Sequence, residues 1–213
     1  AVAAQGGARR RPPTVPTPAT MPRRPARAAP AERLVEKTVQ RDGEPPTVAF
    51  YGNASPFSNF HPAPIEFLGH VWPTSEHLFM AWKAQFCGDR AAYEKLRNAK
   101  TPAEAKRLGR TIMKNGTAPF PVDEWNAASC DIMEEIVRFK FYQNQDLKDQ
   151  LLHAVVDEYG VPAPCKFAEV TAKDARWGTG CDLAAYLRKE DTGTNHLGVV
   201  LTRTRDRLLA LRA

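Results

Sequence analysis

The sequence predicts an α+β fold, with one mainly helical domain that contains a small β-sheet. Hydrophobic residues make up 43% of the 213 residues, which is ordinary for a globular protein. Several long segments after residue 72 carry apolar residues at helical spacing, whereas the β-prone runs are short and scattered among them. Short strands dispersed among many helices are typical of an α+β architecture.

The first segment, residues 1–46, has the composition of a disordered extension. It holds nine of the 18 prolines and few large apolar residues, so it cannot bury enough surface to offset its ordering entropy. Nine of its residues are Arg or Lys and four are Asp or Glu, which places +5 of the formal charge of +6 here. We therefore predict a disordered basic extension over residues 1–46 and one folded domain over residues 47–213.

The charge and cysteine pattern exclude several classes of protein. The near-neutral body does not favour a nucleic-acid-binding domain, and no run of about 18 apolar residues predicts a membrane span. The four cysteines lack metal-ligand spacing, which predicts free thiols in a reducing compartment, no metal and no other cofactor. We expect a cytoplasmic protein, because the acid-free residues 1–31 resemble an organelle import signal only weakly. The oligomeric state stays open.

The folded domain begins with a predicted strand and a predicted hairpin. Residues 47–51 form a β-prone run that ends at a Gly-Asn pair. Residues 65–67 and 70–72 flank a Leu-Gly turn, which predicts a β-hairpin. In the loop between these elements, Ser58 and Asn59 can either present hydrogen-bonding groups to a ligand or simply hold the turn.

The hairpin leads into a helix that begins near Pro73, with Thr74 or Ser75 as its N-cap. Glu76 and Lys83 are seven residues apart, so they share one line on this helix, about 10 Å apart along its axis. That line borders the predicted core face, which places an acid and an amine side by side at its edge. The alternative is that both are solvated surface charges. Four apolar residues define the predicted core face: Leu78, Phe79, Trp82 and Phe86.

Further helices are predicted along the rest of the chain, with a strand over residues 166–170. Arg110 lies near the end of one helix and can bind a phosphate or form a structural salt bridge. Trp125, at the start of a long helix, is either a packing residue or a platform for a base ring. The predicted helices start at or just after residues 89, 101, 123, 146 and 195.

A glycine-rich segment follows the late strand. Asp174 precedes Trp177 by three residues, and Gly178 and Gly180 let the backbone approach a ligand closely. The same residues can form only a tight turn. An acid beside an aromatic ring suits recognition of a sugar and a base, so we include the segment in the candidate site.

Taken together, these motifs resemble the YbiA/NADAR family of N-glycosidases. Residues 72–83 match the pattern W-P-T-S-E-H-x-F-x-A-x-K, and the other elements occur in family order from about Val48 to the C-terminus. Met80 is a departure, because family members often carry Gln at that position, so any hydrogen bond from that Gln to substrate is lost. The other matching elements are Ser58-Asn59-Phe60, Leu108-Gly109-Arg110, Trp125, Glu169 with Asp174 and Trp177-Gly178-Thr179-Gly180, and Asn195-His196-Leu197-Gly198.

The resemblance implies hydrolysis of a bond between ribose C1 and a nitrogen. Its leading implication is removal of ADP-ribose from guanine bases of DNA or RNA. The alternatives are hydrolysis of ribosylamino-pyrimidine phosphate intermediates of riboflavin synthesis, and a non-catalytic ADP-ribose-binding module. The expected partner is thus an ADP-ribose or ribosyl-phosphate substrate. No interaction with a membrane is expected.

The resemblance also assigns a site to particular residues. It implies that Glu76 and Asp174 are the catalytic carboxylates and that Lys83 can attack C1 and hold the opened sugar as a Schiff base. Neither a metal nor another cofactor is expected. The implied substrate-binding residues are Ser58, Asn59, Phe60, His77, Arg110, Trp125, Trp177, Gly178 and Asn195.

Overall fold

The structure is a computed structural model that describes residues 36–211. This part of the chain forms an α+β domain in which helices predominate, as the sequence predicts. The strands are β1 (Glu36–Val39), β2 (Thr47–Phe50), β3 (Ile65–Phe67), β4 (His70–Trp72) and β5 (Lys166–Glu169). The helices are α1 (Ser75–Phe86), α2 (Arg90–Arg97), α3 (Pro102–Gly109), α4 (Val122–Gln143), α5 (Gln145–Leu152), α6 (Leu183–Leu187) and α7 (His196–Ala210).

The main sheet has three strands in the order β1-β2-β5. Strand β2 lies in the centre, antiparallel to β1 and parallel to β5, and all four of its residues are buried. The chain between β2 and β5 contains the hairpin and five helices, so β5 lies beside β2 in the sheet although most of the domain separates them in sequence. The two neighbouring strands therefore end at the same edge of the sheet, where the candidate site lies.

The predicted domain boundary at residues 46 and 47 is wrong. Strand β1 pairs with β2 along its whole length, and Val39 is buried. Arg41 pairs with Glu44 and Asp191, and its guanidinium lies over the ring of Tyr186. Residues 36–46 are thus part of the folded domain. The sequence-based boundary excluded them because strand pairing depends on a distant partner, which local composition does not reveal. The prediction of disorder for residues 1–35 lies outside the described residues.

Removing β1 should destabilise the domain. We expect a variant that lacks residues 1–46 to melt at least about 4 °C below one that lacks residues 1–35, because it loses about 2 kcal/mol or more of buried contact. Differential scanning calorimetry of the two truncated proteins measures this. Equal melting temperatures would show that the pairing of β1 with β2 adds nothing to stability.

Helix α1 is central to the fold and packs against α2, α3, α4 and β4. Thr74 caps it as predicted, since its side chain accepts a hydrogen bond from the backbone N–H of His77. Leu78 and Phe79 are buried, but Phe86 is 41% exposed, so the predicted core face is correct only at its N-terminal end. The first turn is buried at Ser75, Glu76 and His77, although Glu76 was predicted to lie at the edge of the core face.

Most of the predicted elements are present. The hairpin forms over β3 and β4, and the two residues at its turn, Leu68 and Gly69, have positive φ values. Asp89 and Thr101 cap α2 and α3 as expected. One helix, α6, lies where no periodicity was visible, and its N-cap is Asp182. Over residues 36–211, none of the helices combines the length and the apolar character that crossing a bilayer requires.

Candidate active site

A cleft of about 660 Å³ opens where β2 and β5 end beside the first turn of α1. Its wall comes from five parts of the chain that are far apart in sequence. The lining residues before α4 are Tyr51, Gly52, Asn53, Ser58, Asn59, Phe60, Glu76, Phe79, Met80, Thr101, Pro102, Ala103, Lys106 and Arg110. Those from α4 onwards are Met133, Glu169, Thr171, Lys173, Asp174 and Trp177.

Glu76 places a buried carboxyl group in this cleft. Its side chain belongs to the first turn of α1, and the residue is only 5% exposed. Its backbone N–H donates to the carbonyl of Asn59, which ties α1 to the loop opposite. Among the described residues, no hydrogen-bond partner satisfies its Oε1. An unpaired buried carboxyl oxygen is costly, so this atom is available for a ligand.

Burial is the main reason why the pKa of Glu76 is raised to about 7. Lys106 lowers this pKa, the negative charges of Glu169 and Asp174 raise it, and Lys83 has the smallest lowering effect. The carboxyl group can therefore gain or lose a proton near neutral pH, which is the property that acid–base catalysis requires.

Glu169 is the second titrating acid of the cleft. It is the last residue of β5, and burial, with a smaller contribution from Asp174, raises its pKa to about 7 against the effect of Lys106. The sequence motif contained Glu169, but no role was predicted for it. Two acids with pKa values near neutrality in one cleft suit a reaction that needs both a proton donor and a proton acceptor.

Asp174 shapes the turn that presents Trp177. Its Oδ1 accepts hydrogen bonds from the backbone N–H groups of Arg176, at 3.1 Å, and Trp177, at 2.9 Å. The Trp177 ring then meets Phe79 edge to face, with centroids 5.2 Å apart, so both rings form one apolar wall of the cleft. The other carboxylate oxygen of Asp174 lies 3.5 Å from Nζ of Lys106.

Lys106 is the amine that the structure brings to the carboxyl groups, and sequence reasoning missed it. It lies on α3, and its charge acts on both Glu76 and Glu169. A signal was present in the sequence, because Lys106 precedes Arg110 by four residues and so shares its helix face. Both side chains line the cleft.

Lys83 does not lie where the sequence placed it. Its Nζ donates to the carbonyl of Gly109 at 2.9 Å and sits 4.2 Å from the centre of the Phe120 ring. Burial lowers the pKa of Lys83, but its side chain is not part of the cleft wall. Glu76 and Lys83 both lie on α1 as predicted, but α3 packs against α1 and the Lys83 amine binds a carbonyl of α3, so only Glu76 reaches the cleft. A catalytic role for Lys83 stays a prediction.

Five of the nine predicted binding residues line the cleft, and four do not. The five are Ser58, Asn59, Phe60, Arg110 and Trp177. His77 is buried outside the cleft, with its Nδ1 2.8 Å from the hydroxyl of Thr74. The side-chain Nδ2 of Asn195 donates to the carbonyl of Phe167, and its Oδ1 accepts from the N–H of Glu169, so this amide holds β5 in place.

Gly178 is needed for close packing of its loop against β5, and its contact with a substrate stays a prediction. A Cβ at this position would come within 2.6 Å of a Thr171 methyl group and 2.8 Å of the Glu169 carbonyl. Any side chain here would push the loop away from β5. The glycine thus controls the distance between the strand that carries Glu169 and the turn that carries Asp174.

Trp125 lies in an aromatic cluster behind the cleft wall. It is 7% exposed and contacts Phe79, Phe86 and Phe120, with centroid distances of 5.2, 5.5 and 6.5 Å. The structure therefore favours the packing role over the predicted stacking on a base.

Trp125→Ala should chiefly lower stability. We expect a loss of about 3–5 kcal/mol, since the substitution leaves a cavity among aromatic rings, with KM changed by less than about threefold. Thermal denaturation and steady-state kinetics on the folded fraction measure the two effects. Trp177→Ala is the matched control, and its KM should rise because that ring lines the cleft. A rise in KM for Trp125→Ala alone would restore the stacking role.

No group of three or more His, Cys, Asp or Glu side chains within residues 36–211 is arranged to hold a metal ion. Metal independence stays a prediction. The cleft brings together three carboxyl groups, the partly exposed amine of Lys106 and aromatic walls.

Comparison with known proteins identifies relatives along most of the chain. N-glycosidase YbiA of Escherichia coli is 31% identical over 187 residues, which cover 86% of this chain and 97% of that protein. An N-glycosidase of Nostoc punctiforme is 32% identical over 165 residues, covering 76% and 92%. A riboflavin biosynthesis protein of Vibrio vulnificus is 32% identical over 151 residues, which cover 71% of this chain and 35% of that protein.

The fold comparison agrees with the sequence comparison. The NMR structure of E. coli YbiA matches with a TM-score of 0.61 and 30% identity, covering 82% of this chain and 89% of that structure. The model of the NADAR domain matches residues 49–209, which include every residue of the cleft. The protein therefore belongs to the NADAR domain family.

Proposed function

We propose that this protein is an N-glycosidase that hydrolyses the bond between ribose C1 and a nitrogen atom. The observation that carries the proposal is the carboxyl group of Glu76, which is buried at the cleft, lacks a partner for Oε1 and has a pKa raised to about 7. The names of the relatives from E. coli and Nostoc punctiforme support the same reaction class.

The two titrating acids can divide the proton transfers between them. Cleavage of a ribosyl C–N bond builds positive charge on the sugar, and the departing nitrogen needs a proton. In the proposed reaction, protonated Glu169 gives its proton to the nitrogen as the C1–N electron pair leaves with it. Ionised Glu76 takes a proton from a water molecule whose oxygen bonds to C1. The products are a free ribose hydroxyl and the released base.

The surrounding charges fit an anionic riboside. Lys106, held by Asp174, offsets the negative charge of the acids and keeps part of the Glu76 population ionised. Arg110 and Lys173 line the cleft with exposed side chains and can bind phosphate oxygens. Apolar faces for a planar base come from Phe79 and Trp177. Met80 is also part of the wall, where it adds apolar surface.

The substrate that we favour is guanine bearing ADP-ribose. A cleft of about 660 Å³ lined by Lys106, Arg110 and Lys173 has room and positive charge for a diphosphate. A second candidate is a ribosylamino-pyrimidine phosphate, which carries a single phosphate group. The riboflavin name of the Vibrio vulnificus relative favours this second candidate.

A direct comparison of substrates tests the proposal. The purified protein is incubated with ADP-ribosylated guanosine, with the same modification in single-stranded DNA or RNA, and with the ribosylamino-pyrimidine phosphate. Mass spectrometry follows release of the base. We expect faster turnover of the ADP-ribosylated guanine substrates. Faster turnover of the pyrimidine phosphate would select the second candidate, and no release from any substrate would contradict the glycosidase proposal.

Comparison of the unmodified protein with the variant Glu76→Gln separates an enzyme from a non-catalytic ADP-ribose-binding module. An enzyme should lose turnover in Glu76→Gln but still bind ADP-ribose, as measured by isothermal titration calorimetry. A binding module should bind ADP-ribose and release no base in either form.

A further inference from the structure

Lys140 of α4 is a buried cation that lies outside the cleft wall and is only 1% exposed. Its Nζ donates to the backbone carbonyls of Ser58, at 2.9 Å, and Pro56. The proposed mechanism gives this amine no role, and sequence reasoning did not single it out.

Holding a cation at this position is costly. Burial alone lowers the pKa of Lys140 to about 7, and no neighbouring charge contributes to the shift. A methionine of similar length would fill the same space without the desolvation cost. The two carbonyls are therefore the polar partners that offset the burial of this amine. The amine in turn donates a hydrogen bond to each carbonyl oxygen.

Both carbonyls belong to the loop that leads into the cleft wall. Ser58 also accepts a backbone hydrogen bond from His61, and its hydroxyl accepts one from the N–H of Phe60. The next carbonyl, that of Asn59, accepts the N–H of Glu76 at 3.0 Å. Lys140 and Glu76 are thus hydrogen-bonded to the carbonyls of two consecutive loop residues, Ser58 and Asn59.

We propose that Lys140 is a positioning residue, whose amine fixes the shape of the loop over residues 56–60 and so places Ser58, Asn59 and Phe60 against the substrate. This inference rests on the proposed function for its effect on turnover. Its structural part, the ordering of the loop, does not depend on which substrate the cleft accepts.

The test compares Lys140→Met with Gln143→Ala in the full chain. Gln143 lies one turn later on α4 and bonds the N–H and carbonyl of Glu66, so it holds the same side of the domain without touching the cleft. Hydrogen exchange with mass spectrometry follows the peptide over residues 55–61. Calorimetry measures ADP-ribose binding, and kinetics measure KM and kcat. Lys140→Gln, which keeps one donor, serves if the Met variant does not fold.

We expect Lys140→Met to speed exchange in the loop peptide, with the peptides of β2 and β5 unchanged, and to weaken ADP-ribose binding and raise KM by about tenfold or more. Gln143→Ala should leave exchange in this loop and KM unchanged. Equal loop exchange in Lys140→Met and the unmodified protein would overturn the proposal. Faster loop exchange in a protein whose unmodified form shows no turnover would support the positioning role and contradict only the proposed function.

Discussion

Glu76→Gln should lose nearly all turnover while the protein stays folded. The substitution keeps the shape of the side chain but removes the group that takes a proton from water, so we expect kcat to fall by about 10²–10⁴-fold. Binding of ADP-ribose should persist. Steady-state kinetics and calorimetry on the same preparation measure both effects.

The pKa of Glu76 adds a second signature to this prediction. In the folded protein it is about 7, against a reference value of 4.5, so the native state holds this proton more tightly than the unfolded chain. The stability that the protonated form contributes is complete below pH 4.5 and is lost as the pH rises through 7. Glu76→Gln should therefore gain stability relative to the unmodified protein as the pH rises, by on the order of 3 kcal/mol above pH 7.

Two controls make the result specific. Glu66→Gln changes an exposed glutamate of β3 outside the cleft and should leave turnover unchanged. Glu169→Gln should also lose turnover, because it removes the proposed proton donor. Turnover of Glu76→Gln within a factor of about three of the unmodified protein would exclude Glu76 as the catalytic base.

Lys106→Met should strongly lower kcat/KM at pH 7, and Lys83→Met should lower it only slightly. Lys106 lowers the pKa of both Glu76 and Glu169, whereas Lys83 acts weakly and only on Glu76. Without Lys106, both pKa values should rise further, so ionised Glu76 should become scarce at neutral pH. We expect the acid side of the pH–activity profile to move to higher pH and kcat/KM at pH 7 to fall by at least about tenfold.

Borohydride trapping and the variant Lys83→Arg test the Schiff-base mechanism. In the structure the Lys83 amine is bonded to the Gly109 carbonyl, so attack on C1 would require it to leave that carbonyl and enter the cleft. Attack by water, as in the reaction proposed above, predicts no borohydride-trapped sugar on Lys83 and substantial activity in Lys83→Arg, whereas the catalytic role predicted for Lys83 from the sequence requires the reverse. A trapped adduct on a peptide containing Lys83, together with an inactive Lys83→Arg, would replace the attacking water with this amine.

Local signals in the sequence were enough to predict most of the elements. Thr74, Asp89 and Thr101 were identified as caps because capping depends on hydrogen bonds within three residues. The hairpin likewise follows from contacts between near neighbours. Strand β5 was predicted from its β-prone composition, although its partner β2 is distant in sequence. By contrast, β1 was missed, since its four residues are held by pairing with β2 and carry no apolar alternation of their own.

By itself, the sequence determined the α+β class, the order of helices and strands after residue 47 apart from α6, the family, and Glu76, Asp174 and Trp177 as cleft residues. Only the tertiary structure decided which amine meets the acids. Spacing along α1 offered Lys83, but the packing of α3 against α1 turns Lys83 towards Gly109 and brings Lys106 into the cleft. The reason is that periodicity fixes the direction of a side chain relative to its own helix axis, whereas the meeting of side chains from different elements depends on how those elements pack.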